Sequence, residues 1–201
     1  MAETYALFPT FVGSYRMSRE FTDEEMGFMR ACLQDLKPNE GNTTSEYRRV
    51  LDASEMAEVR QFCIDSLRHY AEEVVQVEDG EPTITQSWLN LSKKGQWHHM
   101  HRHPNSLWSG VLYVKAGEND RIHFHKNVAL DGSFQLKARA WNPHNSQSWW
   151  LPNRIGELLV FPSTFQHSVP PTESDERISL SFNTFPTKSI GNPDSLTELP
   201  L

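Results

Sequence analysis

The stretch ERISLSFNTF, residues 176–185, carries the clearest structural signal in the chain, because polar and apolar residues alternate along it. Successive side chains of a β-strand point to opposite faces, so Ile178, Leu180 and Phe182 share one face. The other face is polar and carries Arg177, Ser179, Ser181 and Asn183. If the apolar face packs outward against helices, the polar face lines the interior of a barrel.

Other short strands precede this one, from about residue 83 onward. They are rich in β-branched and aromatic residues and are separated by Gly, Pro, Asn and Asp. Strands of this kind at regular spacing are typical of a sandwich, a jelly roll or a barrel. The predicted strands are ITQSWLNLS (84–92), SLWSGVLYVKA (106–116), DRIHFHK (120–126), GSFQLKARA (132–140) and GELLVFPS (156–163).

Two helices are predicted before the strands. The segment Thr22 to Glu25 has the form of a capping box, and it is followed by apolar residues at helical spacing up to Pro38: Met26, Met29, Cys32, Leu33 and Leu36. A polar loop, 39–49, comes next. Ser54 is then the predicted cap of a second helix, whose apolar face carries Met56, Val59, Cys63, Leu67, Tyr70 and Val74.

The length of 201 residues suits a single domain. We divide it into helical N-terminal support (1–80), a β core (81–185) and a C-terminal tail (186–201). The net charge of −7, without a run of Lys or Arg, disfavours a nucleic-acid or anionic-membrane partner. No apolar run approaches the length of a membrane span, and the N-terminus is unlike a signal peptide. We expect a cytoplasmic protein with buried, inert cysteines at positions 32 and 63, and a homodimer is left open.

The stretch HHMHRHPNS, residues 98–106, contains four of the nine histidines. Imidazole is the commonest transition-metal ligand, although such a cluster also occurs as solvated surface or as a tag. Side chains two apart on a straight strand lie about 6.6 Å apart, whereas two nitrogens on one metal lie only about 3 Å apart. Because Pro104 begins a turn, His101 and His103 converge most easily at a strand end. That leaves His99 to support the pair or to line a pocket.

A metal site needs at least one more ligand, and four histidines remain as candidates: His123, His125, His144 and His167. His167 follows the strong strand in GELLVFPS and a turn. An interior Arg177 would need a polar ligand, and a carboxylate held by Arg177 and the Ser179 hydroxyl would satisfy it. The alternative for Arg177 is a solvated strand face.

Three motifs, HRHPNSLWSGVLYV, FPSTFQHSVPP and ERISLSFN, together closely resemble the 2-oxoglutarate and iron(II) dependent oxygenases. Within that superfamily they resemble a branch common in bacteria and phages, and more distantly the hypoxia-sensing prolyl hydroxylases. The resemblance runs from about Ser87 to Asn183. It implies a mainly β fold with flanking helices, in which a double-stranded β-helix (jelly roll) packs against the N-terminal helices.

The resemblance also implies roles for individual residues. His101 and His167 would be iron ligands, and Arg177 with Ser179 beside it would bind the far carboxylate of 2-oxoglutarate. Tyr113 stands where the prolyl hydroxylases have a tyrosine that hydrogen-bonds the co-substrate. Further pocket candidates from the sequence are Trp88, Asn90, His99, His123, His125 and Asn183. The implied enzyme is a non-haem iron dioxygenase that uses iron(II), 2-oxoglutarate and O2, and releases succinate and CO2.

His103 departs from the pattern of the superfamily, which keeps an acidic ligand at this place. Three neutral imidazoles with iron(II) and the 2-oxoglutarate dianion give a site that is about neutral, whereas a carboxylate ligand would make it about −1. The resemblance implies His103 as the third ligand, because it occupies the place of that acidic residue, and Asp120, His123 and His125 stay open as substitutes.

Three functions compete on this evidence. The first is a 2-oxoglutarate dependent hydroxylase that acts on a peptide or protein side chain or on a small molecule. The second is a three-histidine, cupin-type dioxygenase without a co-substrate, which leaves Arg177 and Ser179 without a role. The third is a non-catalytic jelly-roll module that binds a sugar or peptide.

Overall fold

A computed structural model of the chain describes residues 3, 5, 7–77, 82–126 and 137–201. Within these ranges there are two α-helices, α1 (Asp23–Cys32) and α2 (Ala57–His69), and α2 continues into a π-helical segment, Tyr70–Val75. The same ranges contain eleven β-strands: β1 (Gly13–Arg16), β2 (Leu36–Asn39), β3 (Asn42–Ser45), β4 (Pro82–Lys93), β5 (His98–His101), β6 (Trp108–Lys115), β7 (Arg121–His125), β8 (Ser148–Pro152), β9 (Glu157–Pro162), β10 (His167–Val169) and β11 (Glu176–Pro186).

The capping box predicted at the start of α1 is confirmed. The Thr22 hydroxyl oxygen accepts the backbone N–H of Glu25 at 3.2 Å, and the Glu25 carboxylate accepts the N–H of Thr22 at 2.8 Å. The prediction was wrong at the other end, because α1 ends at Cys32 and Leu36 lies in β2. This strand is at the edge of its sheet, where the missing N–H of a proline is tolerated.

The second helix has the predicted apolar face, with Val59, Cys63 and Leu67 fully buried. Ser54 does not cap it. A 3₁₀ turn, Ser54–Met56, precedes α2, and the Ser54 hydroxyl donates to Glu55 Oε2 at 3.0 Å. Because α2 begins only at Ala57, Ser54 lies one turn too early to reach the free N–H groups of the helix.

The segment predicted as a polar loop is a hairpin of β2 and β3, and β3 pairs with β4. At the opposite edge, β1 pairs with β9. The N-terminal region therefore supplies three strands in addition to its helices. A hydrophobic pattern could not reveal β2 and β3, because their sequences LKPN and NTTS are almost entirely polar.

The larger of two sheets has the strand order β1-β9-β6-β11-β4-β3-β2, and all of its strand pairs are antiparallel. The alternation predicted for β11 is confirmed, since Ile178, Leu180 and Phe182 are buried in a core shared with both helices. The other face of β11 points away from the helices, into the space between the sheets. The register sets Arg177 opposite Ser92 and sets Ser179 between Asn90 and Tyr113.

The smaller sheet has the order β5-β10-β7-β8. Ile122 and Phe124 of β7 pack between the sheets against Leu159, Phe161 and Tyr113 of the larger sheet. Two antiparallel sheets packed face to face, with helices on the outside of one, form the jelly roll that the sequence predicted. The functional residues lie in the remaining space between the sheets.

Three further segments complete the comparison with the sequence. Residues 132–136 of the predicted strand GSFQLKARA lie outside the described residues, and 137–140 are not in a strand. The strand SWWLP (β8) was not predicted as one. Beyond Pro186, the tail contains the short 3₁₀ turn Pro193–Ser195 and an isolated bridge between Ile190 and Leu199. In the described part of the chain, no helix has the length and apolarity needed to cross a membrane.

Candidate metal centre and adjoining cavity

Three histidines meet between the two sheets at one end of the barrel. His101 ends β5, His103 follows it at the turn, and His167 begins β10. The antiparallel register of β5 and β10 sets His101 directly opposite His167. Each of the three offers a ring nitrogen, and these nitrogens all lie within 4.8 Å of one another. This spacing suits three imidazoles that converge on one ion.

Backbone carbonyls fix two of these imidazoles. His101 Nδ1 donates to the carbonyl of His99 at 2.8 Å, and His167 Nδ1 donates to the carbonyl of Phe165 at 2.9 Å. Since a carbonyl only accepts, the proton of each ring is on Nδ1 and the lone pair is on Nε2. Hydrogen bonds of this type orient histidines that bind metals.

His103 is held by its backbone and by ring contacts. Its backbone N–H donates to the carbonyl of Ser163 at 2.9 Å. Asn105, two residues further along, has a φ angle of +56°, as a tight turn requires. The His103 ring lies 4.9 Å from that of His101 and 5.8 Å from that of Trp88, between centroids. The turn predicted at Pro104 therefore brings His103 to the same centre as His101.

All three imidazoles are held in the neutral form. Burial, together with a smaller effect of the neighbouring histidines, lowers the pKa of His103 to about 4 and that of His167 to about 3. Burial also lowers the pKa of His101, against a small opposing effect of its hydrogen bond to His99. A neutral imidazole is the form that binds a metal, so the site is prepared to bind one at neutral pH.

Among the residues that the structure describes, no carboxylate joins this group at ligand distance. Asp120 is instead bound to Arg177, whose Nη1 donates to Asp120 Oδ1 at 3.1 Å. The substitution of Asp120 for His103 as a ligand, left open by the sequence, is therefore wrong in this structure. His144 is exposed and also lies outside the group.

His123 and His125 occupy the opposite face of β7 from Ile122, which lines the cavity. His125 Nε2 is 2.8 Å from the Ser168 hydroxyl. The prediction that these two histidines line the pocket or complete the metal site is corrected, because the strand alternates and its apolar residues take the inner face. The sequence could not decide between the two faces, since β7 is only five residues long.

A cavity with about 40 Å³ of free space adjoins the three histidines. Five of the predicted site residues line it in addition to the histidines: Trp88, Asn90, Tyr113, Arg177 and Ser179. Asn90 Nδ2 donates to the hydroxyls of Ser181 at 2.9 Å and Ser179 at 3.3 Å. The polar face of β11 is therefore cross-linked to β4.

Arg177 lies in the same cavity and is 5% exposed, which rules out the alternative of a solvated arginine. Besides Asp120, it donates to the Pro170 carbonyl and the Ser92 hydroxyl, both at 3.2 Å. Burial lowers its pKa, and the charge of Asp120 opposes that shift. These bonds use three of the five N–H donors of a guanidinium, so two donors have no hydrogen bond to the described residues.

Two buried side chains of the cavity have polar atoms without a hydrogen-bond partner among the described residues. They are the Tyr113 hydroxyl and both amide atoms of Asn153. Burial raises the pKa of Tyr113, so its hydroxyl stays a donor. Unpaired polar groups are rare in protein interiors, and two in one cavity indicate a polar ligand. Asn153 was missed from the sequence because it follows β8, which was not predicted as a strand.

Two other predicted residues stand apart from the cavity wall. Asn183 supports it from behind, since its Oδ1 accepts the Ser109 hydroxyl at 2.8 Å and Ser109 lines the cavity. His99 does not line the cavity. Its neighbour His98, which the strand alternation does not single out, lines the cavity and stacks on His101 at 4.4 Å between ring centroids. The strand alternation had favoured His99, but the short β5 turns His98 inward.

Comparison with known proteins agrees with this geometry. Residues 86–183 match a family described as "Putative 2OG-Fe(II) oxygenase". No curated protein matches the sequence. Among solved structures, a Pseudomonas putida prolyl-4-hydroxylase is 16% identical with a TM-score of 0.55, and the match covers 87% of this chain and 92% of that one.

Two further solved structures are similar. One is a prolyl hydroxylase from Trichoplax adhaerens in complex with a hypoxia inducible factor peptide, with 11% identity, a TM-score of 0.60 and coverage of 87% and 83%. The other is HygX from Streptomyces hygroscopicus with nickel, 2-oxoglutarate and hygromycin B bound, with 13% identity, a TM-score of 0.56 and coverage of 89% and 84%. At these identities, the structural matches show a shared fold.

Proposed function

We propose that this chain, of which residues 86–183 match the 2OG-Fe(II) oxygenase family, is a hydroxylase dependent on iron(II) and 2-oxoglutarate. The observation that carries the proposal is the pairing of two features in one cavity. One is a group of three neutral imidazoles at metal-ligand spacing, and the other is a buried arginine beside unpaired polar groups.

The donor set fits iron(II). Imidazole is a normal ligand for iron, and we propose that Nε2 of His101, His103 and His167 would hold the ion. Three protein ligands on one side leave room for other groups to bind the metal. Bound iron(II) with 2-oxoglutarate and O2 supplies the oxidation of a substrate C–H bond, with succinate and CO2 as co-products.

The polar lining of the cavity suits the carboxylates of a small dicarboxylate. We propose that the two remaining donors of Arg177, with the Ser179 hydroxyl, bind the far carboxylate, and that the Tyr113 hydroxyl donates to the same ligand. Asn153 supplies an amide donor and an amide acceptor that lack partners within the described residues. A bound co-substrate would thus satisfy polar groups that are otherwise buried and unpaired.

Asp120 holds Arg177 in position and balances its charge. Both side chains are almost fully buried, and a buried charge is costly unless it is paired. With three neutral ligands, iron(II) and the co-substrate dianion cancel, and Arg177 and Asp120 cancel each other. The proposed complex therefore has a net charge of about zero without any carboxylate on the metal.

Apolar side chains help to exclude water from the cavity. Trp88, Ile122, Val169 and Phe182 are among its lining residues. A drier cavity strengthens the charge-assisted hydrogen bonds of Arg177 and protects a reactive intermediate from side reactions. The apolar lining thus suits the proposed oxidation, which has to take place away from water.

A three-histidine dioxygenase without a co-substrate is the second candidate. It accounts for the histidines, but it leaves the buried Arg177 and the unpaired atoms of Tyr113 and Asn153 without a function. A binding module without catalysis accounts for the polar groups as contacts to a ligand, but it leaves the three neutral histidines without a function. Three features stay predictions: a substrate that is either a peptide or protein side chain or a small molecule, a cytoplasmic location, and the absence of nucleic-acid and membrane partners. A homodimeric state is likewise untested.

An anaerobic titration tests the proposal. Iron(II) followed by 2-oxoglutarate should produce a weak visible charge-transfer band that saturates at one equivalent of each. The matched control is His144→Ala, which removes an exposed imidazole that does not line the cavity and should leave the band unchanged. Iron binding without a band on addition of 2-oxoglutarate would favour the second candidate instead, and no iron binding would favour the third.

A further inference from the structure

A second group of histidines lies beside the first and shares one member with it. His98, His99 and His101 each have a ring nitrogen, and these nitrogens lie within 4.8 Å of one another. Their ring centroids are 5.3 Å apart for His98 and His99, 4.8 Å for His99 and His101, and 4.4 Å for His98 and His101. We call this group the outer histidines, and the group of His101, His103 and His167 the inner histidines.

We propose that the outer histidines form a second site for a divalent cation of the zinc type, and that it is occupied only when the inner site is not. Zinc is bound tetrahedrally by histidines and often keeps one water, so three partly buried imidazoles suit it. All three outer side chains are partly accessible, whereas the inner group includes the buried His167.

His101 makes the two sites alternatives. Its Nδ1 donates a hydrogen bond to the His99 carbonyl at 2.8 Å, so Nε2 carries the only lone pair with which His101 can bind a metal. A neutral imidazole nitrogen binds one ion at a time. A cation on the outer histidines therefore withdraws His101 from the inner site, and a cation on the inner histidines withdraws it from the outer site.

The other two outer histidines differ in how readily they would bind. His99 Nδ1 is 3.5 Å from the Glu40 carbonyl, a long contact that leaves the ring nearly unrestrained. His98 Nε2 is 3.0 Å from Asn39 Nδ2, which can only donate, so in the metal-free protein Nε2 accepts this bond. Binding through Nε2 replaces the bond to Asn39, and binding through Nδ1 shifts the ring proton. The outer site should therefore be the weaker one.

The mutual exclusion rests on the proposed function, because it takes the inner histidines as an iron site, but the outer site itself does not. Its consequence is that excess zinc competes with iron for His101 without occupying the inner site.

The first experiment measures zinc uptake with Zn²⁺ alone, by competition with a chromophoric chelator. His167→Ala removes the inner site and should still bind one Zn²⁺ per chain. Adding His99→Ala should weaken that binding by about 100-fold or more, because even a residue that only supports a ligand contributes about 10- to 100-fold. The matched control adds His144→Ala to His167→Ala and should leave the affinity unchanged. Circular dichroism checks that each variant is folded.

Two outcomes would overturn the outer site. Either His167→Ala alone loses zinc, or His99→Ala and His98→Ala both fail to weaken the zinc that His167→Ala retains. A second experiment tests exclusion, since the unmodified protein should bind one Zn²⁺ at these sites and not two. Two ions bound together would overturn the exclusion. The loss of an iron–2-oxoglutarate band would count against the proposed function but would leave the zinc result in His167→Ala intact.

Discussion

The two ends of the cavity handle charge in opposite ways. At the histidine end, burial keeps three imidazoles neutral, and they come from the short strands β5 and β10 and the turn after β5. At the arginine end, the long central strand β11 buries a full positive charge, which Asp120 compensates. The histidine end therefore carries no charge until an ion binds. At the arginine end, the charges of Arg177 and Asp120 already cancel before any ligand binds.

The largest expected effect comes from removing a ligand at the histidine end. His101→Ala or His167→Ala should abolish the visible band of the iron(II)–2-oxoglutarate complex, because each removes one of three ligands. His103→Ala should also lose the band, while His99→Ala should reduce it much less. Anaerobic absorption titration checks this, and a full band in His101→Ala and His167→Ala would refute the ligand assignment.

At the arginine end, Asp120→Asn should destabilise the metal-free protein by about 3–5 kcal/mol, since it leaves a buried guanidinium without its counter-charge. Urea unfolding measures this effect. The matched control is Asp194→Asn, which changes an exposed carboxylate in the tail. Equal stability of the two variants would show that the ion pair is not needed for the fold.

Acid should destabilise the protein through the buried histidines. Folding lowers the histidine pKa values below 6.5, so the unfolded chain binds more protons, and stability is lost as the pH falls from about 6.5 through the folded values. For His103 this loss between pH 7 and 4 is about 2–3 kcal/mol, at about 1.4 kcal/mol per pKa unit. His103→Leu should therefore lose that much less over the same range in urea unfolding of the metal-free protein. An identical pH dependence in both proteins would mean that His103 is not buried as a neutral ring.

The affinity for 2-oxoglutarate should depend on the arginine end, whereas the affinity for iron should not. Arg177→Ala combined with Asp120→Ala removes both partners and so leaves no unpaired charge. We expect the apparent 2-oxoglutarate constant to rise by about 10- to 100-fold, as a charge-assisted contact of about 1.5–3 kcal/mol predicts, with iron affinity near normal. Calorimetry with 2-oxoglutarate on the iron-loaded protein measures it, and unchanged co-substrate affinity would leave Arg177 a purely structural residue.

The smallest effect concerns Tyr113. Because its hydroxyl has no partner among the described residues, Tyr113→Phe should leave the metal-free protein as stable as the parent or slightly more stable. The same change should weaken 2-oxoglutarate binding by several-fold, about 1 kcal/mol. A marked loss of stability without a change in binding would mean that the hydroxyl serves the fold instead.

The sequence predicted those parts of this arrangement that depend on local pattern. The alternation in β11 predicted that Arg177 and Ser179 face the interior. The turn at Pro104 predicted that His103 lies close to His101. The pairing of Asp120 with Arg177 could not be predicted, because it joins residues 57 positions apart that no local pattern links. Asn153 escaped notice for a similar reason, since it follows the unpredicted strand β8.

His98 and His99 show the limit of strand periodicity. The two-residue repeat placed His99 with His101 and His103, but β5 has only four residues and ends in a turn. Over such a length, the register with β10 decides which ring reaches the cavity, and register is a tertiary property. The polar hairpin of β2 and β3 was missed because its strands have no apolar face to detect.

The most direct test of the account is a crystal structure of the anaerobic iron(II)–2-oxoglutarate complex, with iron located by its anomalous scattering. We expect iron bonded to Nε2 of His101, His103 and His167, no protein carboxylate on the metal, and the far carboxylate of 2-oxoglutarate against Arg177. Iron bonded to an aspartate or glutamate of the chain, or held by the outer histidines with His103 turned away, would contradict it.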